Sequence, residues 1–295
     1  MATTTDARAL LHGAVDTHVH SSPDLVERKL DDYELVRQAR ERGMAGLVLK
    51  NHFFTTALRA QLVASKIPGI AVIGSIVLNQ PQGGINPWAV EAAGRGGARV
   101  VWMPTAHSEN QLAHESAPGV RAHPAAMYLP GRHAGVQVFN DDGTLTADTE
   151  AVLEIIRDRG MVLATGHLTP AEVDRLTARA IEIGVRKIIS THPDLPAILM
   201  PVELQKKLSE RGIFFERTFN VTQPQYDTLT VPGLAARIRE VGIGSTIMAT
   251  DFGQPTSPLP AEGLEMYIAG MLENGISADE VTQMVSVHAR GLLDI

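Results

Sequence analysis

Gly13-Ala14-Val15-Asp16-Thr17-His18-Val19-His20 is a short apolar run that closes on two imidazoles. Side chains alternate along a strand, so His18 and His20 fall on one side and both rings can reach one point. Three later runs end in the same manner: Met161-Val162-Leu163-Ala164-Thr165-Gly166-His167, Lys187-Ile188-Ile189-Ser190-Thr191-His192 and Thr246-Ile247-Met248-Ala249-Thr250-Asp251. Histidine makes up only 11 of 295 residues, so its repeated placement at strand ends is not a product of composition. Strand-end residues from distant parts of a chain converge only if the sheet closes. The four runs together therefore predict a barrel with a polar cluster at its C-terminal mouth.

The spacing along the whole chain agrees. Eight β-branched or apolar runs begin near Gly13, Gly46, Ala71, Arg99, Met161, Lys187, Ile213 and Thr246, at intervals of 33, 25, 28, 62, 26, 26 and 33 residues. A strand, a helix and two turns need about 25–30 residues, so the intervals read as repeated βα units. Eight units fit a (β/α)8 TIM barrel, of about 250 residues, better than an open doubly wound sheet. The prediction is one α/β domain over residues 1–295. Helix ends are marked too. Thr169-Pro170-Ala171-Glu172 and Ser277-Ala278-Asp279-Glu280 are capping boxes, Asn86-Pro87 is a third cap, and Asp31 or Asp32 is a fourth.

The single long interval follows the fourth strand. Residues 106–135 are rich in Gly, Pro and His, show no clean period, and would lie on the catalytic face as a lid or substrate-binding insertion, or as a disordered one.

Composition excludes several classes. The chain is 44% hydrophobic and 20% charged with a formal charge of −7, and no basic run accompanies it, which argues against nucleic acid as a partner. With no cysteine there are no disulfides, thiolate ligands or cysteine nucleophiles. No stretch of about 20 apolar residues could span a membrane. The N-terminus shows neither a basic flank nor a signal-length apolar run, so a cytoplasmic location is expected. There is no Gly-rich phosphate loop after a strand and no Gly-x-Ser-x-Gly elbow. The expected partner is a small-molecule substrate, with homo-oligomerisation left open.

The second strand, Gly46-Leu47-Val48-Leu49-Lys50-Asn51-His52, ends on a lysine. Three readings of Lys50 stand: a carboxylated metal ligand, a substrate-binding amine, or a salt-bridged structural residue. His52 is a weaker ligand candidate. His52, Asn79, His107, Glu216 and Arg217 lie near strand ends and could orient a substrate. His12, His114, His123, His133 and His288 have no positional argument and are expected to be structural or exposed.

In motif and strand order the chain resembles the amidohydrolase superfamily over nearly its whole length. The resemblance implies metal ligands at His18 and His20 on strand one, His167 and His192 on strands five and six, and Asp251 on strand eight. One departure stands out. Where binuclear relatives place a carboxylated lysine on strand four, this chain has Val101-Trp102-Met103-Pro104-Thr105, and Lys50 on strand two is the candidate to bridge a binuclear centre. The implied activity is that of a metal-dependent hydrolase, using one or two divalent ions (zinc first, with Mn2+, Fe2+ or Ni2+ open). It would cleave an amide, lactam, lactone or ester bond in a small molecule, with Asp251 as general base and His192 polarising the bond under attack. Competing readings are a metal-assisted decarboxylase or lyase, a phosphoesterase, and a non-catalytic barrel.

Overall fold

Eight buried runs form strands β1 (Val15–Val19), β2 (Gly46–Leu49), β3 (Ala71–Val77), β4 (Ala98–Trp102), β5 (Val162–Ala164), β6 (Ile188–Thr191), β7 (Phe214–Thr218) and β8 (Thr246–Ala249). A computed structural model describes residues 4–126, 134–224 and 229–295. All strands are parallel and pair in sequence order, β1 to β8. The sheet then closes on itself. Val19 bridges Phe252, the Asp251 amide donates to the His18 carbonyl at 2.9 Å, and the His20 amide donates to that of Phe252 at 2.8 Å. The predicted TIM barrel is the observed fold, and the predicted strand starts lie within two residues of the observed ones.

Helices return the chain between strands: α1 (Thr4–Leu10), α2 (Asp32–Glu41), α3 (Ala57–Lys66), α4 (Pro87–Arg95), α5 (Glu109–Glu115), α6 (Ala147–Asp158), α7 (Pro170–Ile183), α8 (Val202–Ser209), α9 (Val231–Val241), α10 (Pro260–Glu273), α11 (Ala278–Thr282) and α12 (His288–Leu293). The caps read from sequence are in place. Asp31, Thr169 and Ser277 close capping boxes on α2, α7 and α11, and Asn86 accepts from the Ala89 amide at the start of α4. Among the described residues no helix is long and apolar enough to cross a membrane.

The strands' two faces make separate cores. Leu47 and Leu49 of β2 pack outward among helical residues such as Leu35, Val36 and Val63. Val48 between them joins Val15, Ile73, Val100, Val162, Ile189 and Ile247 in the barrel lumen. Ala289, Leu292 and Leu293 belong to the same cluster, so α12 plugs the N-terminal end. Arg99 and Lys187, at the feet of β4 and β6, fasten that plug through the Leu293 carbonyl and the Asp294 carboxylate.

The insertion after β4 carries α5, and its cap Ser108 accepts from the Gln111 amide. Residues 127–133 of the expected 106–135 segment, His133 among them, lie outside the described residues.

Candidate metal centre

At the C-terminal mouth β1 departs from regular pairing. Its register against β2 shifts between Asp16 and Val19. A bulge of this kind re-aims side chains, and here Thr17 and His18 both reach Glu216. Asp16 holds the bulge: its carboxylate accepts from the His18 amide at 3.1 Å and from the Thr250 amide and hydroxyl at 3.1 and 2.6 Å. Burial raises the Asp16 pKa to about 7 against the pull of these hydrogen bonds. Asp16 ties β1 to β8 directly beneath the cluster, a role that the sequence reading did not identify.

Three groups from β1, β6 and β8 converge. Potential ligand atoms of His18, His192 and Asp251 lie within 4.8 Å of one another. His18 Nε2 stands 3.0 Å from Asp251 Oδ1, His20 Nε2 stands 3.1 Å from the same oxygen, and His192 Nε2 is 3.7 Å from Oδ2. The geometry of His18 tests whether a cation fits. Its Nδ1 lies 2.9 Å from Glu216 Oε2, and the Thr17 hydroxyl donates to Oε1 at 2.6 Å. A carboxylate can only accept, so Nδ1 carries a proton and a neutral His18 aims its Nε2 lone pair at the Asp251 oxygen. Two acceptors facing each other at 3.0 Å need positive charge beside them. Without a metal that charge is a proton on Nε2 or the Lys50 ammonium, whose Nζ lies 2.9 Å from the same nitrogen. Burial disfavours the His18 imidazolium, but the charges of Asp251 and Glu216 outweigh burial and raise its pKa. A divalent ion can take the proton's place, with bonds of about 2.0–2.2 Å to nitrogen and oxygen. A carboxylate behind a histidine is the arrangement that fixes tautomer and ring orientation at metal sites.

The histidines around His18 are neutral. Burial, first of all, holds His20, His52, His167 and His192 well below the usual imidazole range, with neighbouring cations adding to the effect. Burial also pushes the Asp251 carboxyl up, but His18, His20 and His192 more than offset that and keep it ionised. The His192 and Asp251 backbones lie in the left-handed region, with φ of 50° and 56°. Such conformations cost about 1–3 kcal/mol each for non-glycine residues and cluster at functional sites. Gly253 permits the turn after Asp251: a Cβ there would meet the His20 carbonyl oxygen at 2.0 Å.

Lys50 is 2% exposed, with Nζ 2.9 Å from His18 Nε2 and 5.1 Å from the Trp102 ring centre. Burial draws its pKa down to about 8 even though Asp251 and Glu216 support the ammonium. His167 follows Gly166, whose added Cβ would lie 2.4 Å from the Met103 carbonyl oxygen, so strand end and neighbouring loop pack backbone to backbone. His167 Nδ1 donates to Gln111 Oε1 at 3.0 Å, and Gln111 is oriented in turn by its own bond to Glu115 at 2.8 Å. Its ring meets His192 edge-on at 5.3 Å between centres.

The other sequence candidates divide. Glu216 points into the lumen beneath His18. Arg217, one residue on, faces the other way and is fully buried against Asp194 and Gln205 at 2.6 Å each. Asn79 is committed to loop backbone, donating to the His52 carbonyl and the Thr105 hydroxyl and accepting from the Thr105 and His107 amides. His107 is buried in that same loop. His52 lies 4.9 Å from the His20 ring, stacked on it, with Nδ1 3.0 Å from the Thr105 hydroxyl. His288 is structural, bonded to the Thr246 carbonyl at 2.8 Å. His123, expected to be structural or exposed, accepts from the Ala125 amide at Nδ1 at 3.0 Å. Its ring also reaches the mouth from the insertion, 4.8 Å from His52 and 5.9 Å from His167 between ring centres. Burial lowers its pKa to about 4.

The sequence profile of a family of unknown function, DUF6282, matches residues 13–216. The chain belongs to the DUF6282 family. The matched span begins at β1 and ends on Glu216, so it includes His18, His20, Lys50, His167 and His192 and stops short of Asp251. No protein of curated function matches this DUF6282 sequence. Solved structures share its fold. An amidohydrolase from Pseudomonas aeruginosa superposes with a TM-score of 0.66 at 11% identity, covering 99% of this chain and 98% of that one. A zinc-bound amidohydrolase from Burkholderia multivorans gives 0.57 at 12%, over 96% and 99%. A 2,6-dihydroxybenzoate decarboxylase from Rhizobium gives 0.54 at 12%, also over 96% and 99%. At such identities the likeness is one of fold, and it is the fold expected from the amidohydrolase resemblance.

Proposed function

We propose that this DUF6282 protein is a metal-dependent hydrolase acting on a small molecule. The observation that carries the reading is the facing pair His18 Nε2 and Asp251 Oδ1, 3.0 Å apart across the closing seam of the barrel, with Glu216 setting the histidine tautomer. His18, His20, His192 and Asp251 would hold the first ion, zinc by preference for nitrogen and carboxylate donors, and His167 completes the ring of ligands. A divalent ion there supplies Lewis acidity, polarising a carbonyl and lowering the pKa of a water toward about 7. Asp251 is the general base: kept ionised by its histidine neighbours, it accepts the proton of the attacking water and passes it to the leaving group. His192, held at Nδ1 by the Thr218 hydroxyl at 3.1 Å, orients the bond under attack.

Lys50 stands beside His18 and would balance the charge of a second ion as an anion. Carboxylation by carbon dioxide would make it one, and its lowered pKa supplies the neutral amine which that reaction requires. Lys50→Arg would abolish a second ion, since a guanidinium keeps its charge. Crystallographic density showing two ions beside an unmodified amine would disprove this role.

Elemental analysis of the purified protein is the direct test of the whole reading. At least one divalent ion per chain is expected, and none in the His18→Ala, His20→Ala double variant. Full stoichiometry in that variant would remove the site. A lyase is the second reading, favoured by the decarboxylase among the structures of like fold. Release of carbon dioxide from a carboxylated substrate, without net hydrolysis, would select it.

A further inference from the structure

The loop between β1 and α2 lies across the mouth and is firmly tied. The Ser22 amide bonds the Leu30 carbonyl at 2.9 Å, and the Lys29 amide bonds that of Gly253 at 2.9 Å. Arg59 grips the loop from α3 through the Pro23 and Ser21 carbonyls, at 2.8 and 3.2 Å, while pairing with Asp32 at 2.8 Å. Val26 packs on Phe53, Ala106 and Ala125, which bring in the loop after β2 and the insertion after β4.

This loop carries Arg28, whose side chain is 5% exposed. Its Nε donates to Asp24 Oδ2 at 2.7 Å, and the Asp24 side chain is itself wholly buried, with Oδ1 accepting from the Leu25 amide at 2.7 Å. The two terminal amino groups of Arg28 hydrogen-bond no described residue. Neither is among the fully buried, unpartnered atoms of the described residues, so both remain open to a ligand. The loop's ties set Arg28 near the candidate centre, since its neighbour Lys29 bonds the carbonyl of Gly253, two residues past Asp251. In keeping with that place, its charge adds to the burial that lowers the pKa values of His20, Lys50, His52 and His123.

We propose that Arg28 is the anchor for a carboxylate group on the substrate, bound through the two free amino groups while Asp24 holds the guanidinium by Nε. The substrate class is then a small-molecule carboxylate whose reacting bond extends from Arg28 toward His18 and Asp251. That direction rests on the metal-centre reading; the anion site itself does not. The fork matches either anion in shape, and charge favours a carboxylate over a phosphate, because one free guanidinium offsets a single negative charge. Arg59, the other guanidinium on this loop, is already spent on Asp32 and two carbonyls. His52 and His123, neutral and beside the same space, can share in holding the substrate without repelling it.

The test titrates benzoate, its neutral isostere benzamide and inorganic phosphate into the full-length protein by calorimetry, with and without bound zinc. Benzoate is expected to bind about tenfold or more tightly than benzamide, as a charge-assisted pair of hydrogen bonds provides. Arg28→Gln, which is shorter but places an amide donor where Nε meets Asp24, should erase that preference with zinc stoichiometry unchanged, and Arg28→Lys should retain only part of it. Equal affinities in the wild type, an unchanged preference in Arg28→Gln, or phosphate binding tighter than benzoate would each overturn the proposal. A protein that binds no zinc but still prefers benzoate through Arg28 would refute the metal reading and leave the anion site standing.

Discussion

The two ends of the barrel lumen are built by the same strands and could hardly differ more. At the N-terminal end Val15, Val48, Val100, Val162, Ile189 and Ile247 interlock beneath the plug of Ala289, Leu292 and Leu293, and every group is apolar. One turn of side chains higher, the same strands present His18, Lys50, His192, Glu216 and Asp251, all buried. One end maximises burial without polar cost. The other holds charges in a low-dielectric space and bends two backbones into strained conformations, a loss of stability tolerated where chemistry is performed. In barrels of this fold the division is general, with stability below and reactivity above. The contrast makes opposite mutational predictions for residues only a few positions apart.

The largest effect belongs to the dry end. Ile247→Ala should destabilise by about 2–5 kcal/mol, the loss of a fully buried aliphatic side chain plus its cavity, while the folded fraction keeps its full metal content. Loss of metal binding in folded Ile247→Ala would show that the two ends are not separable.

At the wet end the sign reverses. Lys50→Met should stabilise the metal-free protein at pH 7 by about 3 kcal/mol, the cost of holding an ammonium whose pKa has fallen from 10.5 to about 8. The lysine gives up its proton first in the folded state. Between about pH 8 and 10.5 the unfolded chain therefore carries more protons, and wild-type stability rises with pH across that window. Below about pH 8 the whole cost is present, and above 10.5 it has gone. Denaturant unfolding of wild type and Lys50→Met at pH 7, 9 and 10.5 reads this out: the advantage of the variant should shrink at each step. A constant advantage would mean that Lys50 is not a buried ammonium in the metal-free protein.

Glu216→Gln is expected to act on affinity. It keeps shape but replaces the carboxylate that holds His18 Nδ1 at 2.9 Å and the Thr17 hydroxyl at 2.6 Å. Losing such support at a metal ligand lowers affinity by about 10–100-fold. Competition with a chelator measures it, and an unchanged zinc affinity would remove Glu216 from the centre.

How much of this was legible in the sequence follows from range. Strand starts, the closing of the barrel and the caps at Asp31, Asn86, Thr169 and Ser277 are local patterns, and the structure has them where the pattern put them. His18, His192 and Asp251 sit at strand ends, so the fold alone brings them together. Glu216 and Arg217 could not be told apart without register: alternation says that only one faces inward, and pairing of Thr191 with Glu216 decides it. His123 and Arg28 lie on loops without periodicity, and Gln111 on the short helix α5 within the insertion. Their positions follow from contacts such as the His123 amide to Glu115 at 2.8 Å, which no spacing rule announces. Asp16 was hidden for another reason, since a bulge is a break in the very alternation used to read the strand.

The smallest predicted effect probes the border between the two ends. Thr169 caps α7 two residues after His167, its hydroxyl accepting from the Glu172 amide at 3.3 Å while Glu172 reaches back to the Thr169 amide at 2.8 Å. Thr169→Ala should cost about 1 kcal/mol, the usual value of such a cap, and in a domain of this size lower Tm by about 2–4 °C. Zinc affinity should not move. His167 is held independently of the helix, by Gln111 at Nδ1 and by its own amide, which bonds the Pro104 carbonyl at 2.9 Å. The first turn of α7 can therefore fray without turning the imidazole. Calorimetric Tm and chelator competition on the same sample separate the outcomes. A tenfold loss of zinc affinity beside the small loss of stability would mean that the cap, and not Gln111, sets the His167 ring, and that helix stability and site geometry are coupled at this edge of the barrel.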